Sequence, residues 1–309
     1  MKKSKRFVIY ASALTIFASG VKYTICKARD KNYLYYISHM ADDSEKDDIL
    51  ISAHRGFSSL AVENTKEAIL LSNEKKYIDY IELDARLTKD NKIILSHDSI
   101  LHEDSNTINI NNFSYDESLE TIFVYQKTYD YNGLWDHPES ILINNRKKNL
   151  NNQNYQLISL HEALNLITNR KILLDLKFNN NIMLFTEKLQ EELEDFDTSN
   201  IIFQSLNIQG IKYLQEHTNF NCQVLISSLN DLKYCDEFSR IGLNFNIINT
   251  ELIDNLIGNN KKIALWTINN THDLENVLNI VGDYYQDIIY ISDYPDLIAA
   301  KLHEKVLKK

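Results

Sequence analysis

Proline, glycine and cysteine are scarce in this chain of 309 residues, which contains 2, 7 and 3 of them. So few prolines and glycines exclude long flexible linkers built from these residues. The hydrophobic content of 44% suits a globular core, and the length fits one large α/β barrel or two ordinary domains. Cys26, Cys222 and Cys235 match no zinc-binding spacing, so we interpret them as small apolar side chains. Pairing of Cys222 with Cys235 stays open for an exported protein.

Positively charged residues are also fewer than negatively charged ones. The chain has 33 lysines and arginines against 43 acids, for a net charge of −10. Residues 1–21 carry lysine and arginine but no acid, so the remaining chain is more acidic than the whole. An acidic body argues against a nucleic-acid partner. A small phosphodiester is not excluded, because its site needs only local cations.

The first residues have the layout of a secretory signal or a short membrane anchor. The basic block MKKSKR precedes an uncharged run at 7–21, and Ala18 and Gly20 suit a cleavage site. A buried helix is the alternative. We expect residues 1–26 to be a signal peptide or transmembrane anchor, with the body outside the cytoplasm. Residues 27–48 are expected to form a polar, partly helical stalk.

Strand-length and helix-length segments alternate through the rest of the chain, a pattern typical of a parallel sheet. Candidate strands lie at 49–53, 79–84, 92–96, 171–176, 200–205, 222–227, 244–249, 262–267 and 287–292. Candidate helices lie at 64–76, 181–195, 207–217, 229–240, 251–258 and 271–281.

The link between the strands at 79–84 and 92–96 is too short for a parallel crossover, which needs a dozen residues or more. The strand at 92–96 must therefore return as a hairpin arm, which leaves eight strands for a (β/α)8 barrel. The domain is expected to span 49–305, with an insertion at about 99–158 after the second barrel strand. Aromatic residues in the insertion are interpreted either as a lid over the site or as contacts to the barrel: Tyr125, Tyr129, Tyr131 and Trp135.

Several chemically active residues stand at predicted strand ends. Glu82 and Asp84 are two residues apart on one strand, so both carboxylates point to the same face. Such a pair repels unless a cation or proton lies between, and Mg²⁺ or Ca²⁺ favours these oxygen ligands. His54 and Arg55 follow another strand, where Gly56 permits a sharp exit.

Three further residues belong to the same pattern. His97 ends the hairpin strand, which returns it toward Glu82 and Asp84. Asp175 and Lys177 stand together at the end of a later strand, where they suit a metal and a phosphate side by side. A local ion pair between Asp175 and Lys177 is the alternative.

Ordered motifs across about 49–300 give the chain a specific resemblance. They are His54-Arg55-Gly56, Glu63-Asn64-Thr65, Glu82-x-Asp84, Thr88-Lys89-Asp90, His97-Asp98, Asp175-x-Lys177, Gln204-Ser205, Trp266-Thr267 and Ser292-Asp293-x-Pro295. With this set the chain resembles the glycerophosphodiester phosphodiesterase family, in a membrane-anchored form of bacterial type.

The resemblance implies a TIM barrel and a phosphoric diester hydrolase that depends on a divalent metal, Mg²⁺ or Ca²⁺. It implies His54 and His97 as the acid–base pair, in an order left open, and a substrate contact for Trp266, for which core packing is the alternative. Glu82, Asp84 and Asp175 are the expected metal ligands. Arg55 can donate to a phosphate oxygen. Asn64 is expected either to reach the site or only to help cap the following helix.

Two departures from the family pattern stand out. Asp175 replaces the glutamate of most bacterial members, as in the related phospholipase D toxins of spider venom, so a metal site is still expected. Val62 replaces a common proline, which we interpret as a loop change without chemical effect.

The expected reaction is hydrolysis of a glycerophosphodiester, or of a surface polymer containing glycerol phosphate, to an alcohol and sn-glycerol 3-phosphate. One alternative is lysophospholipase D-like cleavage of a membrane lipid. The non-enzymatic alternative is a membrane-tethered binding protein with a relict barrel.

Overall fold

Eight parallel strands close into a barrel around one interior. The computed structural model describes residues 33–43, 47–103, 106–126 and 138–308, apart from the side chains at 138 and 141. The barrel strands are β1 (Leu50–Ala53), β2 (Tyr80–Leu87), β8 (Lys171–Leu176), β9 (Ile201–Ser205), β10 (Asn221–Ile226), β11 (Arg240–Asn244), β12 (Lys262–Trp266) and β13 (Ile288–Ser292). Each pairs in parallel with its neighbour, and β1–β2 pairing closes the ring. The expected (β/α)8 barrel is confirmed.

The short strand β3 (Ile93–Leu95) pairs antiparallel with the upper half of β2, from Ala85 to Leu87. The expected hairpin is therefore confirmed, and its physical cause is the short connection, which leaves no room for a crossover helix. The Ser96 amide donates to the Asp84 carbonyl. The returning chain thus reaches the carboxyl ends of the barrel strands.

Helices cover the outside of the barrel. They are α2 (Lys66–Glu74), α5 (Leu160–Leu166), α6 (Ile182–Glu192), α7 (Ile208–His217), α8 (Thr250–Gly258), α9 (Thr271–Val281) and α10 (Pro295–Leu307). Most begin at a side-chain cap, such as Thr65 before α2 and Asn270 before α9. Their apolar faces and the outer faces of the strands form the main core.

One strand and one helix differ from the sequence prediction. The strand expected at 244–249 is β11, Arg240–Asn244, with Ile241, Gly242 and Leu243 buried. The prediction placed the strand too late in the chain because apolar residues also follow β11. In the structure, Asn244 accepts a hydrogen bond from the Asn246 amide, and the strand ends there in a 3₁₀ turn. The helix expected at 229–240 is a 3₁₀ stretch, Leu229–Glu237.

The insertion after β3 forms its own small layer. It contains the hairpin β4 (Ile100–Glu103) and β5 (Asn106–Asn109), then α3 (Tyr115–Glu120), β6 (Phe123–Val124), α4 (Pro138–Leu150) and β7 (Asn154–Tyr155). Apolar side chains of the insertion pack on Ile94 of β3. Helix α4 is tied to the barrel by Arg146, which donates two hydrogen bonds to the Asp296 carboxylate at the start of α10.

Residues 33–43 form helix α1, which packs on the barrel through the buried Ile37 and Ala41. Part of the segment interpreted as a stalk is thus in contact with the core. The expected apolar helix within 1–26 lies outside the described residues. No helix in the described ranges has both the length and the apolar character required to cross a bilayer.

Candidate active site

Polar side chains replace the apolar interior at one end of the barrel. Tyr80, Leu173 and Ile291 pack in the interior, and each is followed two or four residues later by an acid. Because side chains alternate along a strand, those acids face the same interior above the apolar layer. They are Glu82 and Asp84 on β2, Asp175 on β8 and Asp293 just after β13. The carboxyl ends of parallel strands therefore build an acidic site.

Glu82, Asp84 and Asp175 form a compact carboxylate cluster. One oxygen from each lies within 4.8 Å of the others, and the residues are only 2%, 1% and 6% exposed. Asp84 and Asp175 are register partners on adjacent strands. The Lys177 ammonium lies between them, 2.9 Å from Asp84 Oδ1 and 2.6 Å from Asp175 Oδ2. The three expected metal ligands and Lys177 therefore do come together.

Burial and the neighbouring charges together give the three carboxyls different proton affinities. Burial, with the charges of Asp84 and Asp175, raises the pKa of Glu82 well above its usual range. Burial also raises the pKa of Asp175, against the attraction of Lys177. At Asp84 burial acts in the same direction, but Lys177 and Arg55 outweigh it and hold the pKa well below normal. Asp84 is thus the fixed anion of the cluster, and protons compete most strongly for the other two carboxylates.

The turn after β1 brings Arg55 onto these acids. Arg55 and Gly56 both have positive φ, 57° and 77°, and a Cβ on Gly56 would lie 2.8 Å from the Ala68 carbonyl carbon. Glycine is therefore required at this position. The Arg55 amide donates to Glu82 Oε2 at 2.8 Å, and its guanidinium donates to Glu63 Oε1 at 2.7 Å.

Asn64 reaches the site, and the helix cap is a separate residue. The Asn64 amide nitrogen donates to Asp84 Oδ2 at 2.7 Å, while its oxygen accepts from the Asp84 backbone at 3.0 Å. Thr65 is the residue that caps α2. Both alternatives for this motif are thus met by neighbouring residues, and Asn64 fixes the orientation of the Asp84 carboxylate.

The two histidines stand at the same end, each with a carboxylate on Nδ1. His54 Nδ1 lies 2.6 Å from Asp293 Oδ1, and its Nε2 is 3.8 Å from Glu82 Oε2. His97 Nδ1 lies 2.7 Å from Asp98 Oδ1. Burial and the charge of Arg55 lower the pKa of His54, against the opposing effect of Asp293. The lowered pKa favours the neutral form of His54 near pH 7, and the Asp293 carboxylate, which can only accept, favours the tautomer with the proton on Nδ1.

Asp293 is the site residue to which sequence reasoning assigned no role. Its carboxylate accepts hydrogen bonds from Ser58 Oγ at 3.0 Å and Asn269 Nδ2 at 2.7 Å, besides its contact with His54. The Ser292-Asp293-x-Pro295 motif marked the position, but the partner lies 239 residues away in the chain. Only its place at the end of a barrel strand could have suggested the contact.

Trp266 ends β12 and packs on the apolar interior layer. Its buried indole nitrogen finds no acceptor among the described residues. Tyr125 is buried and donates to Glu63 Oε2 at 3.2 Å, so it joins the insertion to the barrel. Tyr129, Tyr131 and Trp135 lie outside the described residues.

Comparison of the sequence with known proteins identifies a family. The sequence profile described as the glycerophosphoryl diester phosphodiesterase family matches residues 54–286. A glycerophosphodiester phosphodiesterase of Caldanaerobacter subterraneus is 26% identical over 240 residues, covering 74% of this chain and 89% of that protein. Mouse lysophospholipase D GDPD3 is 38% identical over 82 residues, 24% of each chain.

A solved structure extends the similarity to the whole barrel. The Oleispira antarctica phosphodiesterase in complex with the product sn-glycerol-3-phosphate matches with a TM-score of 0.62 at 19% identity. The match covers 82% of this chain and 96% of that one, and at this identity it shows the shared fold. The family match spans well over half of the chain and includes both histidines and all three clustered acids. The chain therefore belongs to the glycerophosphoryl diester phosphodiesterase family and is a phosphoric diester hydrolase.

Proposed function

We propose that this enzyme hydrolyses a glycerophosphodiester, or a glycerol-phosphate-containing surface polymer, to an alcohol and sn-glycerol 3-phosphate with the help of a divalent cation. The observation that carries the proposal is the convergence of Glu82, Asp84 and Asp175 beside His54 at one barrel end. The names of the relatives support the substrate class. The product named in the Oleispira complex supports the glycerol phosphate half.

The carboxylate cluster fits a hard cation. Glu82 Oε2 and Asp175 Oδ2 have protein partners, whereas the second oxygen of each has no hydrogen-bond donor among the described residues. Three buried acids against Arg55 and Lys177 also leave an excess of negative charge. Mg²⁺ and Ca²⁺ are both suited to such oxygen donors. A bound cation would supply Lewis-acid stabilisation of the phosphoryl oxygens.

The two histidines divide the proton transfers in this proposal. Neutral His54 accepts the proton of the attacking water through Nε2, while Asp293 holds its other ring nitrogen. His97 protonates the leaving alkoxide, and its backbone is held by Arg86, which donates to the His97 carbonyl at 2.7 Å. Water thus adds across the phosphorus–oxygen bond, one proton being removed and one returned.

The remaining site residues bind or orient the phosphodiester. Lys177 presents an ammonium at the cluster, where a phosphate oxygen can share it with the acids. Arg55 contributes positive charge to the site, and its hydrogen bonds to Glu82 and Glu63 fix the positions of these carboxylates. Trp266 is half-buried at the end of β12 and offers the accessible part of its ring to the substrate. Asn64 acts by fixing Asp84.

A second substrate class, a membrane lysophospholipid, is favoured by one observation. Part of the chain is similar to a protein named as a lysophospholipase D. The basic and then apolar leader would hold such an enzyme at its substrate.

We propose a single N-terminal membrane anchor with an extracytoplasmic barrel, or a secreted barrel if the leader is cleaved. Nucleic acid is not a proposed partner.

Chelation tests the metal part of this proposal. With a panel of glycerophosphodiesters, excess chelator should abolish release of sn-glycerol 3-phosphate, and Mg²⁺ or Ca²⁺ should restore it. Glu82→Gln, Asp84→Asn and Asp175→Asn should each weaken metal binding measured by calorimetry. Glu187→Gln, at an exposed side chain, is the matched control and should change nothing. Full activity in excess chelator would contradict the metal assignment.

A further inference from the structure

Five exposed apolar side chains lie in connections at the active end of the barrel. These connections leave the carboxyl ends of five strands that are consecutive around the ring, β1, β2, β8, β9 and β10, and the connection after β2 includes β3. We call them the apolar rim: Leu60, Ile100, Met183, Leu206 and Leu229, with exposures of 42%, 49%, 66%, 50% and 65%. More than half of the circumference therefore presents a large apolar side chain at the active end.

The opposite end of the barrel lacks this feature among the described residues. The other exposed large apolar side chains are Leu307 at the end of α10, Leu34 and Tyr35 on α1, and Leu70 and Ile122, which line one cavity with Leu60. Scattered single apolar residues are normal on a protein surface. A concentration at one end, around a catalytic site, marks an interaction surface.

We propose that the apolar rim rests on a lipid bilayer, so that the active site faces the membrane and takes phosphodiesters presented at its surface. The proposal rests on the function proposed above and on the leader as an anchor.

The net charge of the protein favours a zwitterionic lipid surface over an anionic one. The whole chain carries −10, so an anionic surface would repel the body, and the rim itself is uncharged. A zwitterionic surface of phosphatidylcholine avoids that repulsion and receives the apolar side chains. The headgroup phosphodiester then lies at the level of the barrel mouth.

Site-specific fluorescence tests the rim without requiring turnover. Leu229→Cys and Leu307→Cys are a matched pair, because their parent side chains are 65% and 66% exposed at opposite ends. Cys222 and Cys235 are buried, and Cys26→Ser removes the remaining thiol. The full chain, labelled with a polarity-sensitive dye, is reconstituted into phosphatidylcholine vesicles with brominated acyl chains. We expect quenching and a blue shift at 229 and neither at 307.

Activity gives the second measurement. Leu206→Glu with Leu229→Glu should lower turnover of lysophosphatidylcholine in vesicles about tenfold or more, since two apolar side chains lose their lipid contact. Turnover of soluble glycerophosphocholine should stay unchanged, which also reports that the variant is folded. Leu307→Glu should affect neither substrate.

The failures are distinguishable. Absence of turnover on all phosphodiesters would overturn the proposed function, while the fluorescence would still report the rim. Equal quenching at positions 229 and 307, or no quenching at 229, would overturn the membrane-facing rim even if soluble substrates are hydrolysed. An equal loss on both substrates with quenching kept at 229 alone would leave the rim supported and assign the activity loss to the site.

Discussion

Replacing Asp293 by asparagine removes the charge behind His54 with little change of shape. The carboxylate oxygen Oδ1 contacts His54 Nδ1 at 2.6 Å, and Oδ2 accepts from Asn269. An amide group cannot accept at both positions, so its NH₂ must face one of these donors. Either orientation weakens the alignment of the imidazole.

The magnitude follows from the geometry. The contact is short, charge-assisted and largely buried, with the Asp293 side chain 19% exposed. Hydrogen bonds to charged groups contribute about 1.5–3 kcal/mol. At about 1.4 kcal/mol for each tenfold change in rate, kcat/KM should fall about ten- to a hundredfold.

The pH profile separates this role from a structural one. The Asp293 charge favours protonated His54, so its removal should lower the His54 pKa further and move the acidic limb of kcat/KM to lower pH. Asp98→Asn is the matched comparison at His97 and should cost less, because the Asp98 side chain is 56% exposed. A uniform loss in Asp293→Asn, with the acidic limb unmoved, would refute the positioning role.

Three further predictions follow from the site and the fold. His54→Ala and His97→Ala should each lower turnover at least about a hundredfold with the thermal midpoint kept, and an unchanged rate would remove that residue from the mechanism. Arg146→Ala should lower the free energy of unfolding, measured in urea, by about 3–5 kcal/mol, because it leaves the buried Asp296 carboxylate without its bidentate partner. An unchanged midpoint would show that this ion pair adds nothing to the docking of α4. Fractionation and protease shaving of intact cells should find the barrel on the membrane and outside the cytoplasm, and a cytosolic protein would contradict the anchor.

Local sequence pattern was sufficient for most of the barrel. Alternating strand and helix segments gave eight parallel strands, and the short link before Ile93 required the hairpin. The pattern failed at 244–249, where apolar residues after β11 resemble a strand but Asn244 ends it with a side-chain cap. Periodicity detects which residues are apolar, whereas a competing side-chain hydrogen bond decides where the strand stops.

The sequence by itself determined which chemical groups stand at the strand ends: two histidines, three clustered acids, and Lys177. Period-two alternation and the parallel fold are enough to place them at one end. Only the tertiary structure decided their partners, since Lys177 bridges Asp84 and Asp175 and Asp293 holds His54. Those pairings join distant parts of the chain, and the closure and register of the barrel bring them together. The same closure sets the proton affinities, because burial and neighbouring charge depend on the assembled site and on no local stretch of sequence.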